Sequence, residues 1–203
     1  MNPFFAAPVL IGFLWLGLGL GFVPPSHAEN TLRWSTNYYS VTGSTVREIR
    51  QSIRANRPWK DRFSYDAFTD WRVNWRFNVA PSAEGCRYTS FSTQTSILIT
   101  MPRWATPTNA TEVARQRWTE YRAALGKHEA AHAAIALAAA AELNKRAQAV
   151  GVATDCEQLK QQMEEMGRRV IEEFRARDKA YDEQTRHGAT EGAVLHGPRG
   201  DRR

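Results

Sequence analysis

The chain has 203 residues and a formal charge of +6, from 27 Lys+Arg against 21 Asp+Glu. That length fits one domain, or one domain with an appendage, and allows a core of useful size. The positive charge is modest and scattered and no nucleic-acid motif accompanies it, so nucleic acid is excluded as an expected partner.

Every charged residue falls after residue 28. Phe4 to Val23 is an apolar run, Pro24-Pro25 breaks it, and Ser26-His27-Ala28 follows. Small residues at Ser26 and Ala28 fit a signal-peptidase site after Ala28. The alternative is an uncleaved anchor, since about 20 apolar residues span a bilayer. Either reading exports the remainder, which is then periplasmic or secreted, or tethered to the inner membrane if uncleaved. No second run of this kind exists, so a polytopic membrane protein is excluded and no stable insertion is expected after cleavage. Residues 29–195 are expected to form one domain and 196–203 a disordered tail. In an exported chain the two cysteines, Cys86 and Cys156, are expected to pair. The bridge would close a loop of about 70 residues, worth about 4 kcal/mol in the chain-entropy view.

Leu32 to Val41 reads as a first strand, with Leu32, Trp34, Thr36 and Tyr38 on one side. Thr45-x-x-Glu48 is a capping box, and Val46, Ile49 and Ile53 then share a helical face to about Ala55, with Pro58 as a stop. The clearest strand is Trp71 to Val79, where Trp71, Val73, Trp75, Phe77 and Val79 alternate with polar residues. Cys86 to Thr100 reads as a third strand, antiparallel to it through a turn at Pro81–Gly85. Thr111 is a helix N-cap. Beyond it Trp118, Tyr121, Leu125, His128, His132, Ile135 and Ala139 recur at alternating spacings of three and four, an inward stripe. A turn near Gly151 precedes a second helix from about Glu157 to Gln184. Its inward residues are Leu159, Met163, Met166, Val170, Phe174 and Tyr181, and Gly188 follows as a stop. The expected fold is α+β: a small, mostly antiparallel sheet packed on a long two-helix hairpin.

The stripe contains His128-Glu129-Ala130-Ala131-His132, a His-Glu-x-x-His pattern on an active-site helix of the zincin kind. Two imidazoles one turn apart can reach one ion at about 2.0–2.1 Å. Glu129 lies about 100° round the helix, beside the ion, where it can take a proton from bound water. The bland alternative is two core histidines bonded to carboxylates. A catalytic zinc usually has three protein ligands and an open position. The downstream candidates are Asp178, Asp182, His187, Glu191 and His196. His128 lies ~33 Å from the turn, and an equal return along the second helix brings Asp178 to Glu183 level with the site. His187 is favoured as third ligand. Asp182 is the competitor, or otherwise an acceptor behind a ligand imidazole. The Tyr181 phenol can serve a substrate oxyanion or simply continue the apolar stripe.

These segments resemble a family of predicted secreted bacterial zinc-dependent proteases. The resemblance runs from about Tyr38 to Val194. It is carried by Tyr39-Ser40-Val41-Thr42-Gly43, by Phe68-Thr69-Asp70-Trp71-Arg72-Val73-Asn74-Trp75, and by Leu98-Ile99-Thr100-Met101-Pro102-Arg103-Trp104. It continues in Trp118-x-x-Tyr121, His128-Glu129-x-x-His132, Tyr181-Asp182-x-x-Thr185-x-His187-Gly188 and Gly192-Ala193. One departure is Ala131, where Gly is expected; alanine adds a single methyl. The resemblance implies metal-dependent peptide hydrolysis outside the cytoplasm, with Zn2+ as cofactor and a peptide or protein as substrate. Two other functions fit the same residues: a non-catalytic envelope binding protein with a structural or vestigial zinc, and a zinc amidase acting on cell-wall peptides.

Overall fold

A computed structural model describes residues 29–59 and 65–196. The apolar segment 1–28, and all of the expected tail except His196, lie outside the described residues. The elements are β1 (Thr31–Val41), α1 (Val46–Asn56), β2 (Phe68–Ser82), β3 (Gly85–Trp104), α2 (Glu112–Gln148), α3 (Cys156–Thr185) and a short 3-10 turn at Ala189–Glu191. The fold is α+β, with one three-stranded sheet in the order β1-β3-β2. β2 and β3 form the expected hairpin, closing at Ser82 and Gly85. β1 lies on the other side of β3 and runs parallel to it, Thr31 opposite Gln94 through Val41 opposite Trp104. The sheet is therefore mixed. β3 continues past Thr100 to Trp104 because β1 pairs along this last stretch. No helix of the described residues is long and apolar enough to cross a membrane.

Local sequence explains the elements. Thr45 accepts from the Glu48 amide while Glu48 reaches back to the N-cap backbone, the reciprocal box read from the sequence. Thr111 caps α2 through the Ala114 amide, and Asp155 caps α3 through the Gln158 amide. In β2 the alternation buries Trp71 and Val73 against the helices. In β3, Ile97, Ile99 and Met101 share that face. On the helices, Ala133, Ala136, Ala139 and Leu143 of α2 meet Leu159, Met163, Val170 and Phe174 of α3 in one core. The alanines let α2 come close to its neighbours, so a thin layer still excludes water. The β1 side bearing Leu32, Trp34 and Tyr38 is exposed, 53%, 47% and 45% respectively, because the helix layer does not extend over it. Only Tyr39 and Val41 of that strand are buried.

Cys86 and Cys156 are bridged. The same point is held by a two-way backbone pairing, Cys86 N to Ala153 O at 2.8 Å and Ala153 N to Cys86 O at 2.9 Å. A Cβ on Gly85 would lie 2.1 Å from the Ala153 carbonyl oxygen, so only glycine admits this approach. The β2–β3 hairpin is thus tied to the α2–α3 turn.

Candidate metal centre

α2 and α3 are antiparallel, so the His128–His132 turn faces the last turns of α3. There Asp178 and Asp182, also four apart, present carboxylates to the two imidazoles. His128 Nε2, His132 Nε2 and Asp182 Oδ1 form a near-equilateral triangle. Its edges are 3.2 Å between the two nitrogens and 3.1 and 3.2 Å from each nitrogen to the oxygen. These three can hold a metal ion. Tetrahedral bonds of 2.0–2.1 Å set ligand atoms about 3.3 Å apart, so the triangle has the size zinc requires.

The far sides of the rings fix their tautomers. His128 Nδ1 donates to Glu191 Oε2 at 3.0 Å, and His132 Nδ1 donates to Asp178 Oδ1 at 2.8 Å. With both Nδ1 atoms donating, the two neutral rings turn lone pairs toward each other and toward Asp182. Three acceptors at this separation repel unless a cation sits among them. Without a metal, protons fill that role. Burial, the largest influence, pushes His132 down, but its bonds to Asp178 and Asp182 outweigh it and lift it to about 10. Burial likewise opposes His128, and the bonds to Asp182 and Glu191 raise it. Asp182, which burial alone would raise, is held well below the usual carboxylate range by the histidines around it.

Each acceptor has its own support. Asp178 Oδ2 also takes the indole N–H of buried Trp71 at 3.1 Å. The Arg175 guanidinium covers that indole ring at 3.7 Å and bonds the Trp71 carbonyl. The Tyr181 hydroxyl donates to Glu191 Oε2 at 2.9 Å, while its ring stacks on His128 with centroids 5.0 Å apart. Tyr181 is therefore at the site, but its hydroxyl is engaged with a protein carboxylate.

Glu129 is buried, 3% exposed, and faces β2 rather than the trio's far side. Thr69 Oγ1 donates to its Oε2 at 2.6 Å. Burial raises the Glu129 carboxyl above its ordinary value, with the Thr69 bond working against the rise. Glu129 and the trio share a cleft of about 520 Å³, whose other walls include Tyr65, Phe68 and Arg50 and Arg54 of α1.

His187 falls just past the end of α3. Arg186 and His187 both have positive φ, 51° and 52°, and Gly188 follows at 78°. The turn is held by Thr185, whose hydroxyl donates to the Tyr181 carbonyl at 2.8 Å and accepts from the Gly188 amide at 3.2 Å. His187 Nδ1 lies 3.2 Å from Asp182 Oδ1, and its ring sits beside Tyr65 at the cleft. It neighbours the trio without being one of the three. Asp182 thus stands within reach of both imidazoles, with His187 directly beside it. Asp182 is still within α3 on the face of Asp178, whereas the left-handed turn carries His187 past that face. His196 is exposed and is not one of the three.

Gly188 has a packing reason as well as a conformational one. A Cβ there would lie 2.9 Å from His128 Cγ and 2.8 Å from Ala193 Cβ. The 3-10 turn that follows brings Glu191 back onto His128. Thr69 carries no sequence signal of its own, because the register of β2 against α2 is not readable from either segment. The matched four-residue spacing of Asp178 and Asp182 is the signal that could have identified the α3 pair.

No curated protein and no solved structure matches the chain. Residues 36–188, most of the sequence, match the family described as bacterial protein of unknown function (DUF922), and the chain belongs to that family.

Proposed function

We propose that the protein is an exported zinc-dependent metallopeptidase. The observation that carries this reading is the triangle of His128, His132 and Asp182 beside buried Glu129 in one cleft. A zinc ion held there would supply an acidified water and polarise the scissile carbonyl. Glu129 takes the proton of the attacking water and passes it to the leaving amine. Its raised pKa moves it toward the neutral range where a group can do both. Thr69 holds the carboxylate in place. Glu191 and Asp178 keep the Nε2 lone pairs free, and Tyr181 steadies Glu191. His187, at the cleft beside Asp182, is placed to donate to the developing oxyanion. The paired cysteines fit an oxidising compartment.

The closeness of His187 to Asp182 favours one second reading. If His187 turns in as a fourth ligand, the site is closed and the zinc structural. Metal analysis separates the two. Asp182→Ala is expected to lose zinc and His187→Ala to keep it. Glu129→Gln is expected to keep zinc and lose hydrolysis of peptides. A wild type that binds no zinc, or a Glu129→Gln variant as active as wild type, rules the mechanism out. Loss of zinc in His187→Ala supports the structural reading.

A further inference from the structure

α1 presents Arg50 and Arg54 four residues apart on one helical face, and Arg57 follows as the residue that caps its C-terminal end. That face is turned about 100° from the buried stripe of Val46, Ile49 and Ile53. The turn aims Arg50 and Arg54 into the cleft that holds Glu129 and the metal trio, and Arg57 lines the same cleft. Among the described residues no carboxylate lies within 4.0 Å of any of the three guanidinium groups. Arg57 Nη1 donates to the Tyr65 carbonyl at 3.3 Å. Of the carboxylates lining the cleft, Asp178 and Asp182 serve the histidines and Glu129 is bonded to Thr69. The remaining one is Asp66, whose oxygen accepts the Tyr121 hydroxyl at 3.0 Å. Asp66 lies in the field of all three arginines, which oppose the rise that burial imposes on its carboxyl, but this one buried charge is bonded to none of them and balances at most one. Arg186 adds a further positive charge to the same cleft.

Like charges at helical neighbour spacing repel. Compensation of the helix dipole accounts for Arg54 in the last turn of α1, but not for half-buried Arg50 in its middle. The wall also has an apolar side. Tyr65 and Phe68 stack with centroids 5.6 Å apart, and Phe68 is 46% exposed. The cleft therefore sets exposed apolar rings next to the arginine charges.

We infer that Arg50, Arg54 and Arg57 form a subsite for a carboxylate of the peptide substrate, so that the cleft selects acidic peptides. This rests on the peptidase reading. Two sources supply that chemistry, a free C-terminal carboxylate or an Asp or Glu side chain.

The test uses zinc-loaded full-length protein carrying Glu129→Gln and a set of matched alanine-based pentapeptides. They differ only in acid or amide at the C-terminus and in Glu or Gln at one internal position. Calorimetric titration is expected to show carboxylate-bearing peptides binding about tenfold more tightly than their neutral partners, the value of one charge-assisted contact. Preference for acid over amide assigns the terminal carboxylate, and preference for Glu over Gln assigns the side chain. Adding Arg50→Gln, Arg54→Gln or both is expected to abolish the preference while zinc content and melting temperature hold. Equal affinities, no binding at all, or a preference that survives both substitutions overturns the inference. Cleavage of the same peptides by wild type is scored separately. Discrimination without cleavage leaves the subsite standing and removes the peptidase reading, and cleavage without discrimination does the reverse.

Discussion

Asp178→Asn and Glu191→Gln remove the same charge from opposite ends of the imidazole pair, yet their geometry predicts unequal losses. The two oxygens of Asp178 serve different donors, Oδ1 the His132 ring and Oδ2 the Trp71 indole. Asparagine has one acceptor, so one of these N–H groups must face an NH2. In Glu191 a single oxygen, Oε2, accepts from both His128 and Tyr181. Glutamine can put its carbonyl oxygen in that place and keep both bonds, losing charge alone. Partners behind ligand imidazoles typically govern metal affinity by 10- to 100-fold. A broken bond to a charged group, about 1.5–3 kcal/mol, corresponds to a similar range. Asp178→Asn should therefore weaken zinc binding by about 100-fold and Glu191→Gln by about tenfold or less. Competition titration against a chromophoric chelator at fixed neutral pH measures both. Equal losses, or a larger loss in Glu191→Gln, would refute the assignment of these acceptors.

Two further outcomes follow from the same geometry. In metal-free protein the folded-state values of His128 and His132 are raised, His132 to about 10. Their contribution to stability is fully present below about pH 6.5 and is lost as pH climbs toward 10. The melting temperature of chelator-treated protein should fall across that window while zinc affinity rises; a metal-free melting temperature that climbs there contradicts the proton-filled site. Gly188→Ala places a methyl 2.9 Å from His128 Cγ at a φ of 78°. The cost should be about 1–3 kcal/mol, with weakened zinc binding, and denaturant unfolding alongside metal titration checks both.

Periodicity and capping revealed most of the scaffold. The Thr45–Glu48 box, the Trp71 alternation and the α2 stripe are local patterns, and each survives because tertiary packing agrees with it. The level of Asp178 and Asp182 followed from helix rise alone, since a hairpin of two straight helices leaves little freedom. The parallel pairing of β1 with β3 was not legible: it depends on a crossover through α1 and β2 rather than on a turn. The placement of the two side chains at the end of α3 was equally hidden. Asp182 and His187 are five residues apart, and which one enters the triangle depends on α3 holding its helical path to Thr185 before turning left-handed at Arg186. Trp71 is fully buried, as its place in the alternation suggests, but its indole N–H also orients Asp178, a role that alternation cannot disclose. Glu191 reaches His128 only because three residues of 3-10 turn fold it back.

The disulfide and the metal trio sit toward opposite ends of the same helix pair. From His132 to Ala147, beside the bridged turn, α2 rises about 22 Å. In mechanical terms the helices are tongs riveted at Cys86–Cys156, with the trio as the grip. Removing the ion leaves Asp178 and Asp182 of one jaw facing the imidazoles and Glu129 of the other, while the rivet stays closed. Any loosening must then be angular, widest at the cleft and nil at the rivet. An ion entering or leaving the trio would thus not disturb the register of the core.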